Sequence, residues 1–372
     1  MTDRPQANYE RSQHNSFKGS ETPEALCLRS LYTPDYESYK SRNPSRVEGT
    51  LGWFLGHEKY RQWLQEQRSS LSWVSADPGC GKSVLALFLV DELEDRQSEP
   101  SATVCYFFFK GDNEEQRRAE FALSALLHQL FTAKPSLIRH ATKDFESKGD
   151  NFTEDIGTLW RIFTSATADP DCGDVIIIFD GLDECEVSTR EKLIDSLALS
   201  YAVSANRTIP TTRDTSLKFL LTSRSCGSIE RRFRGLPIIR LRAEAETLAI
   251  GADIELVVNS VAEELRHMCG LTELERARLR DHLVQDADGT CLWLSLAIEK
   301  PSDYGESPLK DVLRILNTPS NMDAVTDGRS RVPVGRYGSV AVYGYRGGGG
   351  YDIRRGHSTG SVIGADRIYE PT

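Results

Sequence analysis

Residues 74–93 read VSADPGCGKSVLALFLVDEL. A short apolar strand runs into a glycine-bearing turn, and the turn runs into a helix. The spacing fits G-x-x-x-x-G-K-[ST] except at its first position, where Ala76 replaces glycine. Such a loop holds a phosphate with inward-turned backbone N–H groups. Glycine is needed where φ is positive or where a Cβ would meet an oxygen. Gly79 and Gly81 fill those inner positions. Lys82 brings a point charge to the β and γ oxygens, and the Ser83 hydroxyl is a ligand for Mg²⁺. The helix that follows aims its N-terminus at the anion. Pro78, Gly79, Cys80, Gly81, Lys82, Ser83 and Val84 are therefore the expected nucleotide-binding residues. Ala76 stands at the strand exit, where a small side chain is tolerated. Cys80 sits where a thiol could be activated, but a single cysteine carries no spacing information, and a small residue is the simpler reading.

Working outward, DVIIIFD (Asp174–Asp180) is the most apolar strand of the chain. Its run is continuous rather than alternating, as in a strand covered on both faces of a parallel sheet. It ends in Asp180, and ligands of open α/β sheets bind at such ends. Asp180 is expected to hold Mg²⁺ through water, opposite Ser83. Gly181 keeps space near the phosphates. Asp183 and Glu184 follow, and either could act as general base or place the attacking water. LKFLLTSR (Leu217–Arg224) closes with Thr222, Ser223 and Arg224, a strand end suited to sensing a γ-phosphate. The bland alternatives are a solvated acidic turn and an ordinary strand exit.

Strands are also expected in SLSWVSA before the loop, in ATVCYFFFK (Ala102–Lys110) and in LPIIRLR (Leu236–Arg242). Helical patterns cover FALSALLHQLF (Phe121–Phe131), TLWRIFTSAT (Thr158–Thr167) and one segment from about Leu51, with Leu51, Phe54, Leu55 and Trp63 on a shared face. Alternation of strands and helices predicts an α/β P-loop NTPase fold: an open, mostly parallel five-stranded sheet flanked by helices, then a small helical lid. The expected divisions are a disordered leader over 1–25, the NTPase domain over 26–245, the lid over 246–318 and a disordered tail over 319–372. Residues 328–372 hold 11 of the 28 glycines, with seven arginines against three acids and no lysine.

The 372 residues carry a formal charge of −10, which argues against general nucleic-acid binding. No apolar run reaches the roughly 18 residues of a membrane span, and the N-terminus has no secretory core. The eight cysteines form no C-x-x-C pair and no zinc pattern. A reduced, cytoplasmic protein is expected, with no membrane and no specific nucleic acid among its partners.

These residues resemble the NACHT class of signal-transducing NTPases, in particular the fungal group with a nephrocystin-like N-terminal NTPase domain. DGLDE is the most specific element. The resemblance also takes in CLRSL (Cys27–Leu31), GTLGWFLGHEKYRQWL (Gly49–Leu64), CYFFFKGDNEEQ (Cys105–Gln116), ALLHQLF (Ala125–Phe131), LKFLLTSRS (Leu217–Ser225), IERRFRGLPIIRL (Ile229–Leu241) and GTCLWLSLAIE (Gly289–Glu299). It implies an ATP/ADP-driven or GTP-driven, Mg²⁺-dependent switch with slow hydrolysis, linked in fungi to non-self recognition. The implied partners are further copies of the chain or full-length NACHT relatives. It also makes Thr50 and Trp53 candidates for holding base and ribose, with core packing the simpler role for Trp53.

Three departures are expected: a leader too short for an effector domain, no repeat array, and a glycine-rich tail where a winged helix would follow. They keep two other readings open, a truncated non-enzymatic module that associates with full-length relatives, and a product with no stable function.

Overall fold

In a computed structural model, the structure describes residues 22–32, 35–95, 102–205, 216–235, 238–241 and 247–286. The described helices and strands run α1 (Pro23–Leu31), α2 (Tyr36–Ser41), α3 (Gly52–Gly56), α4 (Glu58–Gln65), β1 (Ser70–Ser75), α5 (Lys82–Asp95), β2 (Thr103–Phe108), α6 (Ala119–Ala133), α7 (Arg139–Lys148), α8 (Ile156–Thr167), β3 (Val175–Asp180), α9 (Val187–Ala205), β4 (Leu217–Ser223), α10 (Gly227–Arg232), β5 (Ile238–Arg240), α11 (Thr247–Cys269) and α12 (Glu273–Asp286).

The five strands form one parallel sheet in the order β2-β3-β4-β1-β5. All six residues of β3 are buried, as its unbroken apolar run requires. The helix α5 packs across β2, β3 and β4, while α9 reaches β1 and the helix layer of α6 and α8. The strand order decides where chemistry can occur. From β1 the chain crosses to β2 at the far edge, and β4 is inserted between β1 and β3. The phosphate loop after β1 and the acid ending β3 therefore flank the end of β4. In register, Val74 pairs with Thr222 and Phe179 with Leu221. In open α/β sheets ligands bind at such a reversal of strand order, outside the C-terminal ends of the strands.

The structure corrects the helix read from about Leu51. Two helices, α3 and α4, replace it, separated by an extended His57 (φ −63°, ψ 128°) whose ring Nδ1 accepts the Lys59 N–H at 3.2 Å. Gly56 and this cap stop the first helix, and the break brings Tyr60 into the core beside Phe54 and Trp63, while Leu51 and Leu55 stay half-buried. The first helix starts at Pro23, inside the stretch read as leader, because Thr22 caps it.

The helices α11 and α12 pack on each other around Val258, Ala262, Leu279 and Leu283. They are tied to the sheet domain by Ile250, which packs against both cores, and by a polar contact. Asp253 Oδ2 accepts the Leu51 N–H at 3.0 Å and the Trp53 indole N–H at 2.8 Å. Among the described residues Leu51 is the one non-glycine with positive φ, 61°. Removing the carboxylate leaves two donors unpaired, so Asp253→Ala is expected to lower stability by about 1–3 kcal/mol and to speed hydrogen exchange at the Leu51 amide. Unchanged exchange there would contradict the tie. The expectations for 1–21, 289–299, 309–317 and the 319–372 tail lie outside the described residues.

Candidate functional site

The loop between β1 and α5 has the backbone its chemistry needs. Gly79 (φ 78°) and Gly81 (φ 74°) are left-handed, where side chains are disfavoured. Ala76 is not, so its position makes no demand for glycine. Its N–H donates to the Ser223 carbonyl at 3.1 Å and its side chain is buried. What matters there is the carbonyl, which with that of Asp77 accepts the Lys82 ammonium (3.0 and 2.9 Å). Lys82 bends back over its own loop. Burial lowers its pKa, partly countered by Asp183 and Asp180. Pro78 is exposed, and Gly79, Cys80, Gly81, Lys82, Ser83 and Val84 are half-exposed around the loop.

Asp180 sits at the end of β3 with 1% exposure. Its Oδ1 accepts the Thr222 hydroxyl, and Thr222 Oγ1 in turn accepts the Gly181 N–H at 3.0 Å. Its Oδ2 is buried with no hydrogen-bond partner. Burial pushes the carboxyl above the usual range, against the pull of Ser83, Thr222, Lys110 and Lys82. Oδ2 itself makes no hydrogen bond, while Ser83 and Lys82 of the loop act on the same carboxyl, and a buried carboxylate oxygen so placed is a poor structural element and a good cation ligand. Among the described residues no cluster of three His, Cys, Asp or Glu is arranged to hold a metal alone. A cation here would share its ligands with a bound phosphate, which fits Mg²⁺.

Gly181 also meets a demand of the backbone. Its φ is 69°, and an added Cβ would lie 3.1 Å from the Phe109 carbonyl oxygen. The residue is demanded by the turn and by the neighbouring β2 exit. Gly181→Ala is expected to cost about 1–3 kcal/mol, read as a lower denaturation midpoint. An unchanged midpoint would show that the turn relaxes.

The two acids beyond it part company. Asp183 is held by Arg224: Oδ1 accepts the Arg224 backbone N–H at 2.8 Å and Oδ2 pairs with its Nε at 3.2 Å. Glu184 turns the other way, and its Oε2 accepts the Gly111 N–H at 3.1 Å. Burial raises the Glu184 pKa, with Gly111 and Lys110 pulling it down. Of the three polar residues ending β4, Thr222 and Ser223 are fully buried. Ser223 accepts the Trp73 indole N–H at 2.9 Å and donates to the Arg224 carbonyl. Arg224 alone reaches solvent, with 52% of its side chain exposed.

Thr50 and Trp53 have internal partners: the Thr50 hydroxyl donates to Val47 O at 2.7 Å, and Trp53 binds Asp253. Lys110, Gly111 and Arg190 belong to the site without having been singled out in the sequence. Lys110 had one legible signal, its place at the exit of the strand beside β3.

The family described as Nephrocystin 3, N-terminal, matches residues 49–224, which hold the loop, the acidic strand end and β4. That segment is similar to this family, and its parallel sheet and loop form a P-loop fold. The vegetative incompatibility protein HET-E-1 of Podospora anserina is 25% identical over 311 residues, 80% of this chain and 22% of that protein, so the chain spans about a fifth of its relative's length. The Aeropyrum pernix ORC2 protein, in ADPNP–ADP complexes, superposes with a TM-score of 0.39 at 13% identity over 71% of this chain and 75% of that one. Domain III of the Thermotoga maritima replication initiation protein DnaA gives 0.33 at 12% identity over 73% and 92%. The fold rests on the sheet order and the loop rather than on these distant likenesses. Among the described residues no helix is long and apolar enough to cross a membrane.

Proposed function

We propose that this domain, similar to the nephrocystin 3 N-terminal family, binds and slowly hydrolyses a nucleoside triphosphate, ATP rather than GTP, as the switch of a NACHT-type signalling protein akin to HET-E-1. One observation carries the reading: the buried Asp180 Oδ2 makes no hydrogen bond, on a carboxyl that Ser83 and Lys82 of the loop both act on. The backbone of Gly79 to Val84 cradles the β-phosphate, and Lys82 exchanges its loop carbonyls for β and γ oxygens. Ser83 and Asp180 would hold Mg²⁺, which supplies charge neutralisation to the phosphates. Arg224, held by Asp183, presents its cation toward the γ-phosphate. Glu184, free of that pair and anchored on Gly111, positions or deprotonates the attacking water.

The test is phosphate release from Mg²⁺–ATP and Mg²⁺–GTP by the whole chain. Slow release from ATP that stops on chelation supports the reading. A folded protein that binds Mg²⁺–ATP yet releases no phosphate over many hours would remove the hydrolytic half of it.

A further inference from the structure

The turn that carries Asp183 and Glu184 is a three-residue 3₁₀ segment after a left-handed glycine. It is a single turn, closed by two backbone bonds, from the Glu184 N–H to the Gly181 carbonyl at 2.8 Å and from the Cys185 N–H to the Leu182 carbonyl at 3.3 Å. Its position is set from outside. Below it, on the first turn of α9, lies Arg190 at 8% exposure. One terminal nitrogen of its guanidinium donates to the Asp183 carbonyl at 2.9 Å and to the Cys185 carbonyl at 3.3 Å. The Arg190 N–H also bonds the Glu186 carbonyl at 2.8 Å. Among the described residues no carboxylate lies within 4.0 Å of its guanidinium, and its Nε has no partner. A buried guanidinium with no counter-ion costs several kcal/mol, and an apolar side chain of that size would fill the space without that cost. The offset comes from the two carbonyls, and these belong to the residues on either side of Glu184.

Holding the Asp183–Glu184 and Cys185–Glu186 peptide units restrains the backbone of Glu184 and, with it, the direction of its side chain. That direction leads to Gly111 at the β2 exit, while the Asp183 side chain is taken by Arg224 at the β4 exit. Three separate elements thus hold two adjacent acids, and Arg190 is the member that acts on the backbone between them.

We infer that Arg190 is a positioning residue, which sets Glu184 against the bound triphosphate through the Asp183 and Cys185 carbonyls. The inference rests on the hydrolytic reading above. A side-chain error near 1 Å at such a group costs roughly 100-fold in rate, whereas the phosphate cradle of 77–84 does not touch Arg190.

Arg190→Gln and Arg190→Lys in the whole chain test it, by hydrogen exchange, Mg²⁺–ATP affinity and turnover. In Arg190→Gln, amide exchange over 181–186 and at Arg224 should rise roughly tenfold, with protection over 77–84 kept. Affinity should stay within about threefold and turnover should fall roughly 10- to 100-fold. Arg190→Lys, which keeps the charge on a shorter and more flexible side chain, should lie between. An unchanged loop with unchanged turnover overturns the inference. So does exchange raised through the whole sheet together with lost affinity, which would make Arg190 an ordinary core residue. If the unaltered chain does not hydrolyse ATP, the hydrolytic reading fails, and a localised or absent rise in exchange still decides whether Arg190 fixes the turn. If Arg190→Gln does not fold, Arg190→Lys carries the comparison; failure of both to fold overturns the inference.

Discussion

Lys82→Ala is expected to lower Mg²⁺–ATP affinity at least about 100-fold, since charge-assisted contacts are worth about 1.5–3 kcal/mol each and two phosphate oxygens lose theirs. The fold should survive. Lys82 is half-exposed at the start of α5, and its present partners are the Ala76 and Asp77 carbonyls, which water can satisfy from the open side of the loop. Titration of a fluorescent ATP analogue, beside a thermal melt without nucleotide, separates the two effects. Affinity within a few fold of the unaltered chain would mean that the loop is not where phosphate binds. A collapsed melt would mean that Lys82 is a structural tie of the loop.

Glu184→Gln should leave binding within a few fold and reduce turnover roughly 100- to 1,000-fold, the scale of a lost general base. Asp180→Ala should also abolish turnover, with binding partly kept, because it removes the orphaned oxygen and frees Thr222 as well. The pH profile gives the sign. Burial raises the Glu184 pKa above the ordinary glutamate range. A base must be ionised, so turnover should fall with decreasing pH at values above those at which an exposed glutamate protonates, and Glu184→Gln should lose that limb. The same shift acts oppositely on stability. The folded state binds the proton more tightly than the unfolded one, so this contribution is present at low pH and is lost as pH rises through the folded pKa. Full turnover in Glu184→Gln would transfer the role to another group, and Asp183 would then have to leave Arg224.

The five strands and the site's outline were legible because their signals are local. An unbroken apolar run such as VIIIFD has one physical explanation, and a glycine-rich turn before a helix nearly so. Even the Ala76 departure was readable, since the position uses its carbonyl and not its side chain. What escaped was set by strand order. Nothing local in Gly111 or Arg190 announces that β2 and α9 converge on the turn after β3, yet the bonds to Glu184 and to the carbonyls around it come from there. The separation of Asp183 from Glu184 is of the same kind, because it depends on Arg224, 41 residues away in sequence. Trp53 illustrates the converse. The family resemblance offered it for base or ribose, with core packing the simpler role, and its indole is committed to Asp253, 200 residues on. The break at His57 was a local signal misread: Gly56 and a side-chain cap outweighed an apolar face that continues across them.

The most direct test of the nucleotide site is the content of the purified chain. Denaturation should release ADP or ATP in near-stoichiometric amount from the unaltered protein and none from Lys82→Ala. A folded protein that releases no nucleotide, and that also fails to bind added Mg²⁺–ATP, would contradict the account at its centre.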